Sequence, residues 1–484
     1  RRRHADQDQE EKHPLMPHAH ESARSFRPLL LVWVALCLPL LLLGYGSDYD
    51  AWRVAMTAEK LWTSGIYTPS RSLGFPLYEL VITPLVALGG WTLSNLLSLA
   101  AGLLIFLALR RLARAGHFRH PRLVIATLLF MPVFYKNATV TMDYLPALAC
   151  LIWSYLFLQE RAPDKAALLV GLSTGFRPTG LLFMLPILLH LRLTGHSWRA
   201  LFRAALLCAA AALLACSPLF FAQEFGTPAP APRSSLLQHI GLIAFHGLRF
   251  LGVVQSLLLL LLLMFTLRRR PQSHAPAGFT PFHLLNIALW AGLFLLLPDE
   301  PEYMLPALPS LLFLLDRFLE HRSFAATAAI LLSYHVIQLE LRPELPDALQ
   351  LRPRLVAGYT VEDLSDRIFK LSSRRIATQY RPEQPTCLMF GLPWIPAVNP
   401  DWVYDAELGV YKQKEGEFCL SGRITDRGQI ERLKQRGMRL VAWRLAVWDY
   451  LRTGSAAWGD DVELLEDLRT LFPERIRGKA LNER

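Results

Sequence analysis

Three acidic residues in the first third of the chain stand where a proton-transfer site could form. Asp48 and Asp50 follow the apolar run 28–44 within a few residues, and Asp143 opens a later apolar run. A carboxylate at the exit of an apolar segment sits where the local dielectric is lowered, so its pKa is readily raised toward that of a general base. Ordinary interfacial charge beside a belt of aromatic residues would produce the same pattern. The residues alone leave both interpretations open.

Arg177 is a basic residue inside an apolar stretch, and it could bind an anion. A charge in such a place is costly unless it faces a polar cavity or a partner. A guanidinium there could bind the phosphate of a lipid carrier through charge-assisted hydrogen bonds. The alternative is a side chain that extends to the membrane interface and binds nothing specific.

Motifs of other enzyme classes are absent from the sequence. It contains no Walker A loop, no dinucleotide glycine fingerprint, no HExxH and no paired CxxC. The net charge of +11 does not indicate nucleic acid, because the arginines cluster between apolar blocks. We therefore expect no nucleic-acid partner and no metal site. Proton transfer by a carboxylate and phosphate binding by an arginine require no cofactor. The paired aspartates could nevertheless hold a divalent metal.

The apolar blocks predict the elements that position these residues. The sequence is 52% hydrophobic, with apolar blocks of about 13–20 residues between short charged clusters, which is typical of polytopic membrane proteins. We predict an α-helical membrane protein with about eleven spans. Residues 1–27 form a polar N-terminus, and residues 28–340 form the transmembrane module with a first external loop at 45–90. The run 28–44 is interpreted as a retained span, because no Ala-x-Ala cleavage pattern follows it.

The distribution of Arg and Lys predicts the orientation. Fifteen basic residues fall in short loops on one side and seven in longer loops on the other, if the break at Arg177-Pro178 is a hairpin tip. A single helix through 165–191 would destroy this bias, so we favour the hairpin. The positive-inside rule then places the N-terminus in the cytoplasm and the C-terminus outside. The expected location is the cell (inner) membrane, where bilayer lipids surround the spans.

Residues 341–484 have the composition of a soluble domain. Amphipathic stretches such as 361–374 alternate with short apolar runs at 386–390 and 439–443 that are typical of strands. We predict a small extracytoplasmic α/β domain. Cys387 and Cys419 lie in it, and they could form a disulfide if the domain is outside the cytoplasm and the geometry permits.

Five motifs, taken in order, resemble the GT-C superfamily of membrane glycosyltransferases. They are the acidic pair Asp48 and Asp50, Arg71 with Gly74-Phe-Pro76-Leu-Tyr78, Thr141-Met-Asp143-Tyr-Leu-Pro146, Gly175-Phe-Arg177-Pro178-Thr, and Glu302-Tyr303-Met-Leu-Pro306-Ala-Leu-Pro309. The nearest pattern is that of family 39-like enzymes, which include protein O-mannosyltransferases and lipid A aminoarabinose transferases. The resemblance covers residues 28–339 and rests on the order and sidedness of the motifs.

The resemblance implies a polyprenyl-phosphate-linked sugar donor that enters from the bilayer and an extracytoplasmic acceptor. It implies catalytic roles for Asp48, Asp50 and Asp143. The candidate donor-phosphate ligands are Arg53, Arg71, Lys136 and Arg177, and the candidate pocket residues are Tyr78, Glu79, Glu302 and Tyr303. The expected activity is glycosyl transfer with inversion. The alternatives are a transporter or flippase of lipid-linked saccharides and a noncatalytic membrane scaffold.

Overall fold

The computed structural model describes most of the predicted transmembrane module and parts of the C-terminal region. The described residues are 26–71, 74–222, 236–267, 278–298, 300–345, 348–379, 384–389, 402–405, 407–408, 410–413, 418–421, 427–443 and 463–465. All but the last two residues of the predicted polar N-terminus lie outside them, as does much of the predicted C-terminal domain. The described part is mostly helical.

The first half of the chain contains nine helices among the described residues. They are α1 (Arg27–Cys37), α2 (Tyr49–Ser64), α3 (Pro76–Arg114), α4 (Pro121–Phe130), α5 (Pro132–Asn137), α6 (Tyr144–Gln159), α7 (Pro163–Phe176), α8 (Met184–Leu193) and α9 (Trp198–Cys216). The described later helices are α10 (Leu236–Leu251), α11 (Val253–Leu267), α12 (Phe279–Leu296), α13 (Ala307–Phe318), α14 (His321–Ser333), α15 (Tyr359–Gln379) and α16 (Arg427–Gln435). Short 3-10 turns follow several of them, including Pro178–Phe183 and Pro301–Met304.

Three of the described helices are long and apolar enough to cross a bilayer. They are α3, α9 with the turn that extends it to Phe221, and α12. The pair α10 and α11, bent by 72°, is a fourth if it counts as one span. Shorter apolar helical segments also occur, at Arg27–Leu42, Pro121–Phe130, Tyr144–Gln159 and Pro178–Leu193. The chain therefore has transmembrane helices, while the count of about eleven spans stays a prediction.

The predicted first external loop at 45–90 contains regular structure. Helix α2 lies within it, and α3 begins in it at Pro76. Helix α3 kinks at Gly90, whose φ of 56° and ψ of −140° are accessible to glycine but strained for other residues. The kink divides α3 into a first segment, which begins in the loop at Pro76, and an apolar second segment, which continues to Arg114.

The predicted hairpin tip is a break in the helical structure. Helix α7 ends at Phe176, Arg177 is extended with φ −153° and ψ 114°, and the turn Pro178–Phe183 follows. This is the expected local effect of Pro178, because proline disfavours the helical conformation of the residue before it. Helix α7 packs closely on α9 through Gly171, where an added Cβ would lie 2.4 Å from the Cys208 carbonyl oxygen.

The described C-terminal strands form two sheets. A hairpin pairs β1 (Ile337–Leu345) with β2 (Ala348–Ala357) in antiparallel fashion. The strands of the second sheet are β3 (Thr386–Met389), β4 (Trp402–Asp405), β5 (Val410–Gln413), β6 (Phe418–Ser421), β7 (Arg439–Trp443) and β8 (Glu463–Leu465). This six-stranded sheet has the order β4-β5-β6-β3-β7-β8, with parallel pairing of β3 to β6 and β7, and of β7 to β8.

The two cysteines for which the sequence left a disulfide open are neighbours in the centre of this sheet. Cys387 of β3 lies opposite Cys419 of β6 in register, and both residues are fully buried. Both are free thiols. Together with Leu408, Val410 and Leu440 they belong to a small apolar core that is separate from the large core of the helical module.

Candidate active site

The centre of the candidate site is Asp143, which is held between two arginines. Its Oδ1 accepts a hydrogen bond from Arg71 Nη2 at 2.6 Å, and its Oδ2 accepts one from Arg177 Nη1 at 2.5 Å. The residue is fully buried. Burial alone would raise the pKa of Asp143, but the two guanidiniums outweigh burial and lower it. Asp143 is therefore a bound carboxylate whose two oxygens already have cationic partners.

Arg71 lies on a loop that Glu79 organises. The Glu79 carboxylate accepts hydrogen bonds from the Tyr67 hydroxyl and from the Ser70 backbone N–H, the latter at 2.9 Å. The guanidinium of Arg71 then lies 3.7 Å from the centre of the Phe75 ring, where cation–π attraction stabilises it. Glu79 is fully buried among its own loop, so its contacts indicate a loop-fixing role.

Arg177 projects from the break after α7 and is surrounded by aromatic rings. Its guanidinium carbon lies 3.9 Å from the ring centre of Tyr144 and 5.0 Å from that of Tyr303. Only 7% of the Arg177 side chain is exposed. A guanidinium that is fixed by stacking and by one carboxylate keeps other N–H groups for a further anion, because it has five donors.

Asp48 and Asp50 differ in how they are held. The Asp48 side chain caps α2 by accepting a hydrogen bond from the Asp50 backbone N–H at 2.9 Å. Both Asp50 oxygens are in ion pairs, one with Arg71 at 3.1 Å and one with Arg53 at 3.3 Å. Burial raises the pKa of Asp48, and nearby Asp50 and Glu302 add to the rise against the opposing charge of Lys136. Of the two, Asp48 has the properties of a base.

Two glutamates from the segment before α13 complete the acidic side of the site. Glu300 accepts a hydrogen bond from the Tyr144 hydroxyl, and burial and the charge of Asp48 raise the pKa of Glu300 to about 8. Glu302 pairs with Lys136 at 2.8 Å. Burial would raise the pKa of Glu302, but Lys136 outweighs burial and holds it below its usual value. The charge of Lys136 is thus already paired.

Three carboxylates of the site are close enough together to be tested as a metal site. One oxygen each from Asp48, Asp50 and Glu300 lies within 4.8 Å of the others. Oxygen ligands of this kind suit Mg²⁺ or Ca²⁺. However, both Asp50 oxygens are already engaged by arginines, so a cation would have to displace an ion pair. The residues fit a divalent cation poorly, and no step below uses one.

A small amphipathic cleft, with a cavity volume of about 10 Å³, lies beside these groups. Its polar end is lined by Tyr144, Arg177, Glu302 and Tyr303, and its apolar part is lined by Ala147, Leu151, Gly180, Trp290, Leu305 and Pro306. These residues come from α6, α12 and the turns after α7 and before α13. Such a lining suits a ligand with an anionic head and an apolar chain.

The structure brings most of the candidate residues into one network. Ion pairs run from Asp50 through Arg71 and Asp143 to Arg177 without interruption. Asp48 adjoins the network through the Asp50 N–H, and Tyr78 is fully buried in the first turn of α3. Arg53 lies at its edge with 46% of its side chain exposed.

Sequence reasoning missed residues that hold the site together. Asn95 on α3 donates to the carbonyl oxygens of Leu41 and Gly44 at 3.1 and 2.8 Å, and its own Oδ1 accepts from Thr141 at 2.8 Å. It thereby ties the end of the first apolar segment to the loop before Asp143. An Asn within an apolar helix is the signal that could have revealed it, since such residues have buried partners. Residues of α15 that contact the same loops, Arg367 and Lys370, were also missed.

Known proteins are similar to this chain in two comparisons. Residues 75–298 match the model of glycosyltransferase family 87. Two crystal structures of ArnT from Cupriavidus metallidurans, one bound to undecaprenyl phosphate and one in the apo state, align with 15% and 14% identity. The alignments cover 77% and 76% of this chain and 85% and 84% of ArnT, with TM-scores of 0.48 and 0.45.

A search of the curated proteins found no match. The matching family is family 87, whereas the motifs had indicated family 39-like enzymes as the nearest in pattern. Both descriptions agree on a glycosyltransferase, and the described transmembrane helices agree with a membrane enzyme. The described apolar helices and the family match over residues 75–298 thus agree with a membrane glycosyltransferase.

Proposed function

We propose that the protein transfers a sugar from a polyprenyl-phosphate donor to an acceptor on the extracytoplasmic face of the membrane. The observation that carries the proposal is the amphipathic cleft with Arg177 at its polar end, linked through Tyr144 and Glu300 to Asp48. A transferase of this kind needs a cation for the donor phosphate and a base for the acceptor.

Asp48 is the base in this proposal, and Asp50 has a positioning role. One Asp48 oxygen accepts the α2 capping bond, and the other has no hydrogen bond within the described part of the chain. The raised pKa of Asp48 makes its carboxylate a stronger proton acceptor than an ordinary aspartate. Asp50 instead orients Arg71, and Asp143 orients Arg71 and Arg177 together. Asp143 thus moves from the candidate bases to the positioning residues.

The reaction is a single displacement. Asp48 takes the proton from the acceptor hydroxyl or amine, and the acceptor atom forms a bond to the anomeric carbon. The bond from that carbon to the phosphate oxygen breaks, and its electron pair leaves with polyprenyl phosphate. Arg177 neutralises the charge on the departing phosphate, which is where electrostatic stabilisation has most effect. The sugar configuration inverts, because one displacement occurs.

Lipid-linked sugars and surface glycans test the function directly. Mass spectrometry of cells with and without the protein should show one polyprenyl-phosphate sugar accumulating when the protein is absent, together with loss of one surface glycan. The purified protein in lipid vesicles should then transfer that sugar from the isolated donor. If the donor crosses the vesicle membrane without any transfer, the transporter alternative replaces this proposal. If neither process occurs, the noncatalytic scaffold remains.

Replacing Arg177 by Ala should weaken donor binding by about 10- to 100-fold. Hydrogen bonds to charged groups are worth about 1.5–3 kcal/mol, and each 1.4 kcal/mol corresponds to a factor of ten. The dissociation constant of the polyprenyl-phosphate sugar, measured in nanodiscs, is the readout. Arg203→Ala is the control, because Arg203 forms an exposed pair with Asp164 in another part of the chain. Equal affinity in the two variants would remove Arg177 from the donor site.

A reporter fused after Arg484 should be active only on the extracytoplasmic side. The fifteen basic residues in short loops favour an N-terminus inside, and the proposed acceptor site lies on the face opposite those loops. A second reporter inserted at Gly195, between α8 and α9, should have the opposite location, because Arg192, Arg199 and Arg203 surround it. A C-terminal reporter that is active in the cytoplasm would overturn the orientation.

A further inference from the structure

Helix α15 lies against the loops of the candidate site. The Lys370 ammonium donates to the Ser47 carbonyl oxygen, and the Ser47 hydroxyl donates to the Asp363 carboxylate. The Lys370 nitrogen also lies 4.1 Å from the centre of the Tyr49 ring. Ser47 and Tyr49 are the two sequence neighbours of Asp48. Lys370 therefore contacts the backbone immediately before the proposed base and the side chain immediately after it.

A second anchor fixes α15 to the helical module. Arg367 is fully buried and donates to the Leu40 carbonyl oxygen at 3.2 Å and to the Thr139 carbonyl oxygen at 3.0 Å. It also donates to the Thr139 hydroxyl at 2.8 Å and pairs with Asp363 at 2.8 Å. Leu40 lies at the end of the first apolar segment, and Thr139 lies in the loop that leads to Asp143. One helix thus joins both loops that carry the acidic residues.

A third contact reaches the segment that carries the glutamates. The Tyr359 hydroxyl, in the first turn of α15, donates to Glu302 Oε1 at 3.2 Å. Lys136 shares the same carboxylate, and its nitrogen lies 5.8 Å from the Tyr359 ring centre. Three separate parts of the site therefore meet on α15, although they are far apart in sequence.

The burial of the charges on α15 indicates a built interface. Lys370 is 3% and Asp363 6% exposed. Burial of Lys370 lowers its pKa to about 8, although Asp366, Asp48 and Asp363 oppose the change. Removing a charged side chain from water costs free energy, so a buried charge normally has partners that are fixed in place. A loose contact between a separate domain and the membrane module would leave these groups solvated.

We propose that Lys370 and Asp363 are positioning residues that hold the Ser47–Tyr49 segment so that Asp48 faces the acceptor. This inference rests on the proposed function. It makes α15 a part of the active site, whereas the sequence assigned it to a separate soluble domain. Misplacement of a catalytic group by about 1 Å can cost about 10²-fold in rate, so the effect of losing Lys370 should be large.

Lys370→Met in the full-length protein tests the proposal. In lipid vesicles with a matched donor and acceptor, kcat should fall by about 10- to 100-fold while the KM for the donor stays near that of the wild type. Lys370→Arg should restore most of the rate, because a guanidinium can still donate to the Ser47 carbonyl. Lys412→Met is the matched control: Lys412 pairs with Asp405 on β5–β4 and should leave kcat unchanged. Unchanged kcat in Lys370→Met would overturn the proposal.

Hydrogen exchange of the backbone gives a readout that does not depend on activity. Amides of residues 46–50 should exchange faster in Lys370→Met and in the milder variant Ser47→Ala, while exchange elsewhere in α2 and α3 stays the same. Loss of activity without faster exchange at 46–50, or without rescue by Lys370→Arg, contradicts positioning. If the wild type transfers no sugar from any donor, the proposed function fails, and faster exchange would still support the anchoring role of Lys370.

Discussion

Asp48→Asn should lower turnover by about 10²- to 10⁴-fold and leave donor binding intact. The amide keeps the size of the side chain and its acceptor for the capping bond from the Asp50 N–H, so α2 should still begin at the same residue. Only the basicity is lost. The measurements are kcat with a matched donor and acceptor in vesicles, and the dissociation constant of the donor determined separately.

The Asp50→Asn variant distinguishes the two first-loop carboxylates. Asp50 holds Arg71 and Arg53, so its loss should loosen the arginines and weaken donor binding more than it slows proton transfer. A larger fall in kcat for Asp50→Asn than for Asp48→Asn would exchange their roles. Full turnover in both variants would remove the first-loop acids from the mechanism and favour the transporter alternative.

The pH dependence provides a further control on Asp48. An aspartate that acts as a base must be unprotonated, and the pKa of Asp48 is raised by burial. In the wild type, kcat should therefore decline as pH falls, beginning above the pH at which an ordinary aspartate takes up its proton. That acid limb should disappear in Asp48→Asn, because the residual activity no longer depends on this group.

Local features of the fold could be predicted because their causes are local. Pro178 makes the residue before it extended, and this places the break at Arg177. Helix α2 was not predicted, but its start has an equally local cause, because an aspartate before a helix, here Asp48, readily accepts a hydrogen bond from the first turn. The proximity of Asp50, Asp143 and Arg177 also agrees with the sequence, since all three had been placed at outer ends of apolar segments.

Pairing between distant residues could not be predicted. Glu79 looked like a pocket residue, but the preceding loop folds back, and its carboxylate accepts hydrogen bonds from Tyr67, Ser70 and Phe75. Lys136 looked like a phosphate ligand, but Glu302, which is 166 residues away, neutralises it. Nothing in the local sequence of either residue reveals the partner, because the contact exists only after the elements pack.

The position of α15 is the clearest case of this kind. Its sequence has the amphipathic pattern of a soluble helix, and the sequence therefore assigned it to a separate domain. The apolar pattern says that one face is covered, but it does not say by what. In the structure, the covering surface is the pair of loops around Ser47 and Thr139. Buried charges such as Arg367 make the covering specific, and they carry no signal in a hydropathy profile.

Asp143→Ala should destabilise the protein by about 3–5 kcal/mol, because it leaves two buried guanidiniums without their shared carboxylate. Arg71 is 14% and Arg177 7% exposed, so water can replace the lost partner only in part. The repulsion between the two arginines would then be uncompensated. The midpoint of chemical denaturation in detergent micelles, followed by circular dichroism, measures the loss.

Asp164→Ala is the matched control for this prediction. Asp164 also pairs with an arginine, at 3.0 Å, but 42% of its side chain and 62% of that of Arg203 are exposed. Exposed pairs contribute about 0–1 kcal/mol, so this variant should unfold close to the wild type. Donor binding separates the structural effect from the functional one. Asp143→Asn keeps the shape of the side chain, so it should be more stable than Asp143→Ala. It should still bind the donor more weakly than the wild type, because an amide cannot orient both guanidiniums. If Asp143→Ala is no less stable than Asp164→Ala, Asp143 does not hold the two arginines, and the ion-pair chain from Asp50 to Arg177 cannot be what positions the donor phosphate.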